Sequence, residues 1–122
     1  MPMYVKELMT PQVVAVRPTD SLAAARELLR EKRIHHLLVL ENGRVVGLLS
    51  YRDLIGKSDA QSVSDVMSRD VVTVASWDTA RNAAAKMIGR THGCLPVVDG
   101  DTVAGILTST DLLHAVTSAR PA

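Results

Sequence analysis

Two stretches of this chain share one pattern: a glycine, two apolar residues, a hydroxyl, two variable residues, an aspartate and a leucine. They run from Gly47 to Leu54 and from Gly105 to Leu112. In each, an apolar run ends in Ser50 or Thr108, and a carboxylate, Asp53 or Asp111, follows three residues later. If the chain turns there from strand into helix, the hydroxyl lies near the first free helix amides, which favour anions. The carboxylate could accept hydrogen bonds from two vicinal hydroxyls, such as those of a ribose. The same spacing also reads as a capping box, with Ser50 or Thr108 as N-cap and an acid at N3. Asp fits that box imperfectly, since Glu or Gln is usual there. The two roles can coexist.

The pattern recurs because the whole chain does. Residues 63–113, moved back by 58 positions, lie over residues 5–55 without a gap. Val5 meets Val63, Met9 meets Met67, Asp20 meets Asp78, Gly47 meets Gly105, and Asp53-Leu54 meets Asp111-Leu112. Duplication of this kind suggests a pseudo-two-fold module in which anything formed at the seam is formed twice. One copy of about 55 residues would bury too little surface to be stable alone, so two copies sharing a core is the economical reading.

The elements follow the same order in each copy. Val13-Val14-Ala15-Val16 and Val71-Val72-Thr73-Val74 are short β-rich runs. Asp20 and Asp78 stand where an N-cap belongs. Helices are predicted over 21–32 and 79–90, with Leu22, Ala25, Leu28 and Leu29 on one face and Ala80, Ala83, Ala84 and Met87 on the other copy's face. Asn42-Gly43 between two apolar runs is a hairpin signal, and Gly100-Asp101 occupies the matching place. Short helices close both copies. The result is strand, helix, strand, strand, helix, twice: an α/β (α+β) fold. Residues 58–62 read as the linker, and the tail after Ser118 as frayed.

Composition excludes several classes. Apolar residues make up 47% and charged residues 22%, which is globular rather than disordered. Fourteen basic residues are dispersed among thirteen acidic ones, and no basic run exceeds Lys32-Arg33, so the stripe that nucleic acid requires is missing. With no Phe, one Trp and two Tyr, a base-stacking platform is equally poorly supported. No apolar run approaches the ~18 residues of a membrane span. The start lacks a secretory pattern, and a single cysteine, Cys94, fits a reducing cytoplasm.

With these motifs in place, the chain resembles a tandem pair of cystathionine-β-synthase (CBS) domains, a Bateman module. The likeness rests on Val-x-x-x-Met (Val5 to Met9, Val63 to Met67), on Leu-Pro-Val-Val-Asp (Leu95 to Asp99), and on the glycine-to-leucine pattern described above, all in constant order. It covers about residues 3–117, with one repeat at 3–57 and the second at 63–117, and implies a stand-alone pair whose repeats are packed through their sheets. It also implies binding of AMP, ADP, ATP or S-adenosylmethionine in clefts between the repeats, no catalysis, no cofactor, and a homodimer that signals to an unknown regulated protein.

Carried over residue by residue, the resemblance implies two unequal clefts. One would use Ser50, Arg52 and Asp53 with Ser68, Val71, Val72, Thr73 and His92. The other would use Thr108, Thr110 and Asp111 with Thr10, Val13, Val14, Ala15 and Ile34. In each, the aspartate would hold the ribose, and Val14 or Val72 would line the adenine slot. Phosphate contacts would fall to His35 and His36 in the first copy, and to Gly93 and Cys94, which offer no cation, in the second. If the imidazoles touch phosphate, affinity should rise as pH falls through about 6.5; otherwise they are a surface and a packed histidine. Two departures from the family pattern bear on occupancy. Leu38 stands where Pro96 stands in the second copy, and the bulky Arg52 either blocks the cleft or grips a phosphate.

Other constellations are weaker. The four histidines lack metal-ligand spacing with acids or Cys94. Cys94 reads as a small core residue rather than a nucleophile. Trp77 reads as a lid over a helix end or a dimer contact. The alternative function, from a different class, is a ligand-free dimerisation or protein-interaction scaffold.

Overall fold

Helix α2 (Leu22–Lys32) forms because Leu22, Ala25 and Leu29 return to one face and are buried, while charged residues cover the rest. Its N-cap is Ser21, whose extended backbone suits that position and whose hydroxyl accepts the Ala24 N–H at 3.1 Å. The spacing pointed one residue earlier, to Asp20. That carboxylate instead turns back on Arg17, accepting its backbone N–H at 2.8 Å and its guanidinium at 3.2 Å. Helix α4 (Ala80–Met87) repeats the shift. Thr79 accepts the Asn82 N–H at 3.1 Å, while Asp78 accepts the Asn82 side-chain amide at 2.9 Å. The helix ends short of the expected residue 90, because Gly89 adopts φ +83°.

The structure, a computed structural model, describes residues 3–90 and 93–118. It divides into two units. The first unit is residues 13–71. Strands β1 (Ala15–Val16), β2 (His36–Glu41) and β3 (Arg44–Ser50) form one sheet in that order, β1 parallel to β2 and β2 antiparallel to β3. Asn42 and Gly43 make the hairpin, at φ +54° and +78°, as a two-residue turn of this hand requires. A 3-10 turn (Tyr51–Leu54) and helix α3 (Val63–Val66) complete the unit. Its core joins Leu22, Ala25 and Leu29 to Leu37, Val39, Leu49, Leu54 and Val63.

The second unit is the segment up to Gln12 together with the chain from Val72 onward. It holds helix α1 (Val5–Leu8), α4, the hairpin β4 (Cys94–Asp99) and β5 (Thr102–Thr108), and helix α5 (Ser109–Ser118). Val5, Val74, Ala83, Met87, Leu95, Val97 and Leu107 form its core. The strand expected over 71–74 contracts to one parallel bridge, Val74 to Val97. The cause is Pro96. In the first unit the Leu38 N–H donates to the Val14 carbonyl at 3.1 Å, and proline at the matching position has no N–H to donate.

Each unit cuts across the duplication. The opening segment of the first copy lies on the helix start of the second: the Val5 N–H donates to the Asp78 carbonyl and the Lys6 N–H to the Ser76 carbonyl, both at 2.9 Å. The opening of the second copy does the same on the first, with Val63 N–H to Asp20 O at 2.8 Å and Ser64 N–H to Pro18 O at 2.9 Å. Val5 and Val63 are both fully buried.

Candidate functional site

In the first unit, β3 runs out at Ser50, which is buried, and the chain tightens at once into the 3-10 turn. Asp53 Oδ2 accepts the Ser50 N–H at 2.8 Å, and the two residues form a capping box. Ser50 is in register with His36, and the Tyr51 N–H donates to the His35 carbonyl at 3.0 Å. Ser68 lies against the same strand, exchanging two backbone hydrogen bonds with Leu48, each at 2.9 Å. The fold thus gathers His35, His36, Ser50, Asp53 and Ser68 around one strand end. Arg52, on the turn, is exposed.

The second unit builds the same arrangement. Asp111 Oδ2 accepts the Thr108 N–H at 2.9 Å, and Thr108 Oγ1 accepts the Asp111 N–H at 3.2 Å. Thr10 exchanges two backbone hydrogen bonds with Ile106, each at 2.9 Å, as Ser68 does with Leu48. Thr10, Thr108, Thr110 and Asp111 therefore share a unit. The capping reading of both motifs holds, and it occupies one oxygen of each carboxylate. A carboxylate offers about four acceptor positions, so capping leaves capacity for a second role.

The remaining predicted residues divide as follows. Val71 lies in the first unit, Val72 and Thr73 in the second. Val13, Val14, Ala15 and Ile34 lie in the first unit, apart in sequence from the Asp111 turn they were grouped with. Val14 and Val72 are half-buried, each packed on the edge of its own unit's core. Ala15 is paired in β1 with Leu38. The Thr73 carbonyl accepts a hydrogen bond from Lys86 Nζ at 3.2 Å. His92 lies outside the described residues. At the phosphate positions, His35 is exposed and His36 half-buried. Gly93 and Cys94 face no such role: the Gly93 carbonyl accepts the Ser109 N–H at 2.8 Å, and burial pushes the Cys94 thiol up to about 12. A thiol so protonated at neutral pH is not a nucleophile.

The glycines that open each motif have a specific task. A Cβ on Gly47 would stand 2.7 Å from Met67 Sδ and 3.0 Å from the Ser68 carbonyl. On Gly105 it would stand 2.9 Å from Met9 Sδ and 2.6 Å from the Thr10 carbonyl. The Val-x-x-x-Met segment and the glycine are therefore two sides of one contact, which seats Ser68 and Thr10 beside the hydroxyl–carboxylate turns. The sequence held that signal only as co-occurrence of the two motifs. Among the described residues, no group of three His, Cys, Asp or Glu is placed to hold a metal, and no helix is long and apolar enough to cross a membrane.

A family model described as CBS domain matches residues 5–59 and again residues 63–118. The CBS domain-containing protein YhcV of Bacillus subtilis is 31% identical over 114 residues, covering 88% of this chain and 81% of that protein. A homoserine O-acetyltransferase of Methanocorpusculum labreanum is 38% identical over 116 residues, which is 91% of this chain but 24% of that enzyme. Among solved structures, CBSX2 from Arabidopsis thaliana in complex with AMP superposes with a TM-score of 0.88 at 26% identity, covering 98% of this chain and 99% of that one. With two family matches that between them span nearly all of its length, the chain belongs to the CBS-domain family and carries two such domains in tandem.

Proposed function

We propose that this chain is a regulatory module that binds an adenosine-type ligand (AMP, ADP, ATP or S-adenosylmethionine) and performs no reaction on it. The observation that carries the reading is the duplicated turn: a buried or half-buried hydroxyl and a carboxylate, each beside a seated Ser68 or Thr10. A related protein of known structure, CBSX2, is described in complex with AMP. In this reading Asp53 and Asp111 each receive ribose hydroxyls. His35, His36 and Arg52 give the Asp53 set cations for a phosphate tail, while the Asp111 set suits a less charged ligand. The ligand acts by binding one arrangement of the module better than another; equal affinity for both would transmit nothing.

Calorimetric titration with the four ligands tests this. Asp53→Asn and Asp111→Asn keep an oxygen for the cap and remove the charge. We expect each to weaken its own site at least tenfold, with little change in melting temperature. Unchanged binding in both single variants and in the double would overturn the proposal.

A second reading is favoured by one feature. In the second unit, Ile88, Leu113 and Val116 are 80%, 65% and 73% exposed around an apolar groove of about 340 Å³ between α4 and α5. A second copy of the chain would cover that face, as a homodimeric scaffold requires. No heat with any ligand, together with a stable dimer by light scattering, would favour the scaffold over the sensor.

A further inference from the structure

The first unit carries a concave feature that neither Ser50 nor Asp53 lines. Between α2 and the 3-10 turn runs an open groove of about 710 Å³. Its floor is aliphatic: Leu29, Ile34, Leu54 and Ile55. Its rim is basic, with Arg26, Arg30, Arg33, His35 and Lys57, and among the described residues no carboxylate lines it.

Two of those cations have other work. Arg26 builds the wall. Its Nε donates to Asp59 at 2.9 Å, and its Nη2 to the carbonyls of Leu54 and Lys57 at 2.8 and 2.6 Å. Arg30 pairs with Glu27. Arg33, His35 and Lys57 are different: among the described residues their side chains have no hydrogen-bond or ion-pair partner. Arg33 also holds a left-handed backbone, φ +56° and ψ +47°, where it closes α2. A non-glycine residue is uncommon there.

The duplication supplies an internal control. Moved by 58 positions, Arg26 becomes Ala84, Arg30 becomes Ile88, Tyr51 becomes Ser109 and Ile55 becomes Leu113. Those residues line the equivalent groove of the second unit, which is half the size and among the described residues holds no cation. The fold therefore does not require a cationic rim at this place. Among the described residues, the first copy alone has it.

We propose that this groove binds a small organic anion with an apolar body. Arg33 and Lys57 receive the anionic head, and an aliphatic chain lies along Leu29, Ile34, Leu54 and Ile55. Concave apolar sites of ~300–1,000 Å³ with a few placed polar groups are the usual form of a small-molecule site. The groove shares His35 and Ile34 with the residues of the adenosine reading but uses none of its carboxylates.

Decanoate is the probe, with decanol as its uncharged control, read by calorimetry and by backbone amide shifts. We expect one decanoate per chain, shifts clustered on α2 and residues 51–57, and decanol at least tenfold weaker. Arg33→Gly suits the left-handed backbone and so removes the cation while keeping the cap. Combined with Lys57→Ala it should weaken decanoate at least tenfold without lowering the melting temperature by more than a few degrees. Asp53→Asn and Asp111→Asn should leave decanoate binding unchanged, which separates this site from the adenosine sites. The proposal fails if decanol binds as well as decanoate, if the double variant binds normally, or if the shifts fall on α4 and α5. It also fails if Ile55→Asp turns a dimer into a monomer and decanoate binds only that monomer, because a second copy then fills the groove.

Discussion

Asp99 shows how one side chain can fasten two distant stretches of chain. It ends β4 and accepts the Ser76 hydroxyl at 2.6 Å and the Ser76 N–H at 2.8 Å. Those bonds favour the ionised form and hold its carboxyl below the usual carboxylate range. A folded-state value below the unfolded one means stability that is present above about pH 4 and is lost as pH falls through the folded value. Asp99→Asn should therefore lower the urea midpoint at pH 7, and the gap from the unaltered protein should narrow as pH falls below about 4. A gap that stays constant as pH falls from 7 through the carboxylate range would mean that Asp99 acts by shape and not by charge. No feature of the sequence revealed this pair, since 23 residues separate its members. Cys94 was legible as a core residue because its neighbours form an apolar run. Asp53 and Asp111 were legible as caps, for a capping box lies within four consecutive residues.

Among the elements, legibility followed the range of the interactions. The hairpins were readable because Asn-Gly and Gly-Asp turns are local. Helices α2 and α4 were readable because their apolar positions repeat on one face. The caps slipped by one residue because Asp20 turns back on Arg17, while Asp78 accepts the Thr79 N–H and the Asn82 side-chain amide rather than a free helix amide. The shrinkage of the second copy's first strand followed from Pro96, whose effect is felt by a segment more than twenty residues earlier. The methionine–glycine contact was beyond reach, since Met9 and Gly105 lie at opposite ends of the chain. Gly105→Ala tests that contact. Overpacking should cost roughly 1–3 kcal/mol and shift the Thr10 amide resonance. Gly43→Ala is the comparison. Its Cβ meets nothing within 4 Å, so only the left-handed backbone at φ +78° is penalised, by about 1 kcal/mol. If the two substitutions cost the same and Thr10 is unmoved, the seat is not formed by Gly105.

At the scale of the whole chain, the duplication is more entangled than its two tandem copies suggest. Val5 completes the core of the second unit and Val63 lies in that of the first. Each is fully buried, worth roughly 1.5–3 kcal/mol when a side chain of that kind leaves water. Fragments 1–60 and 61–122 each hold an opening segment without the helix start it lies on. We expect neither fragment alone to melt cooperatively by circular dichroism, and an equimolar mixture to do so. Cooperative melting of either fragment by itself would show that the exchanged segments are dispensable.

The exchange also bears on ancestry. A forerunner with only one copy could have satisfied its opening arm only on a sister molecule. Fusion of two such genes would have turned a bond between strangers into one within a single polypeptide. It would also have freed the halves to diverge, so that arginines now rim one aliphatic trough and not, among the described residues, its twin.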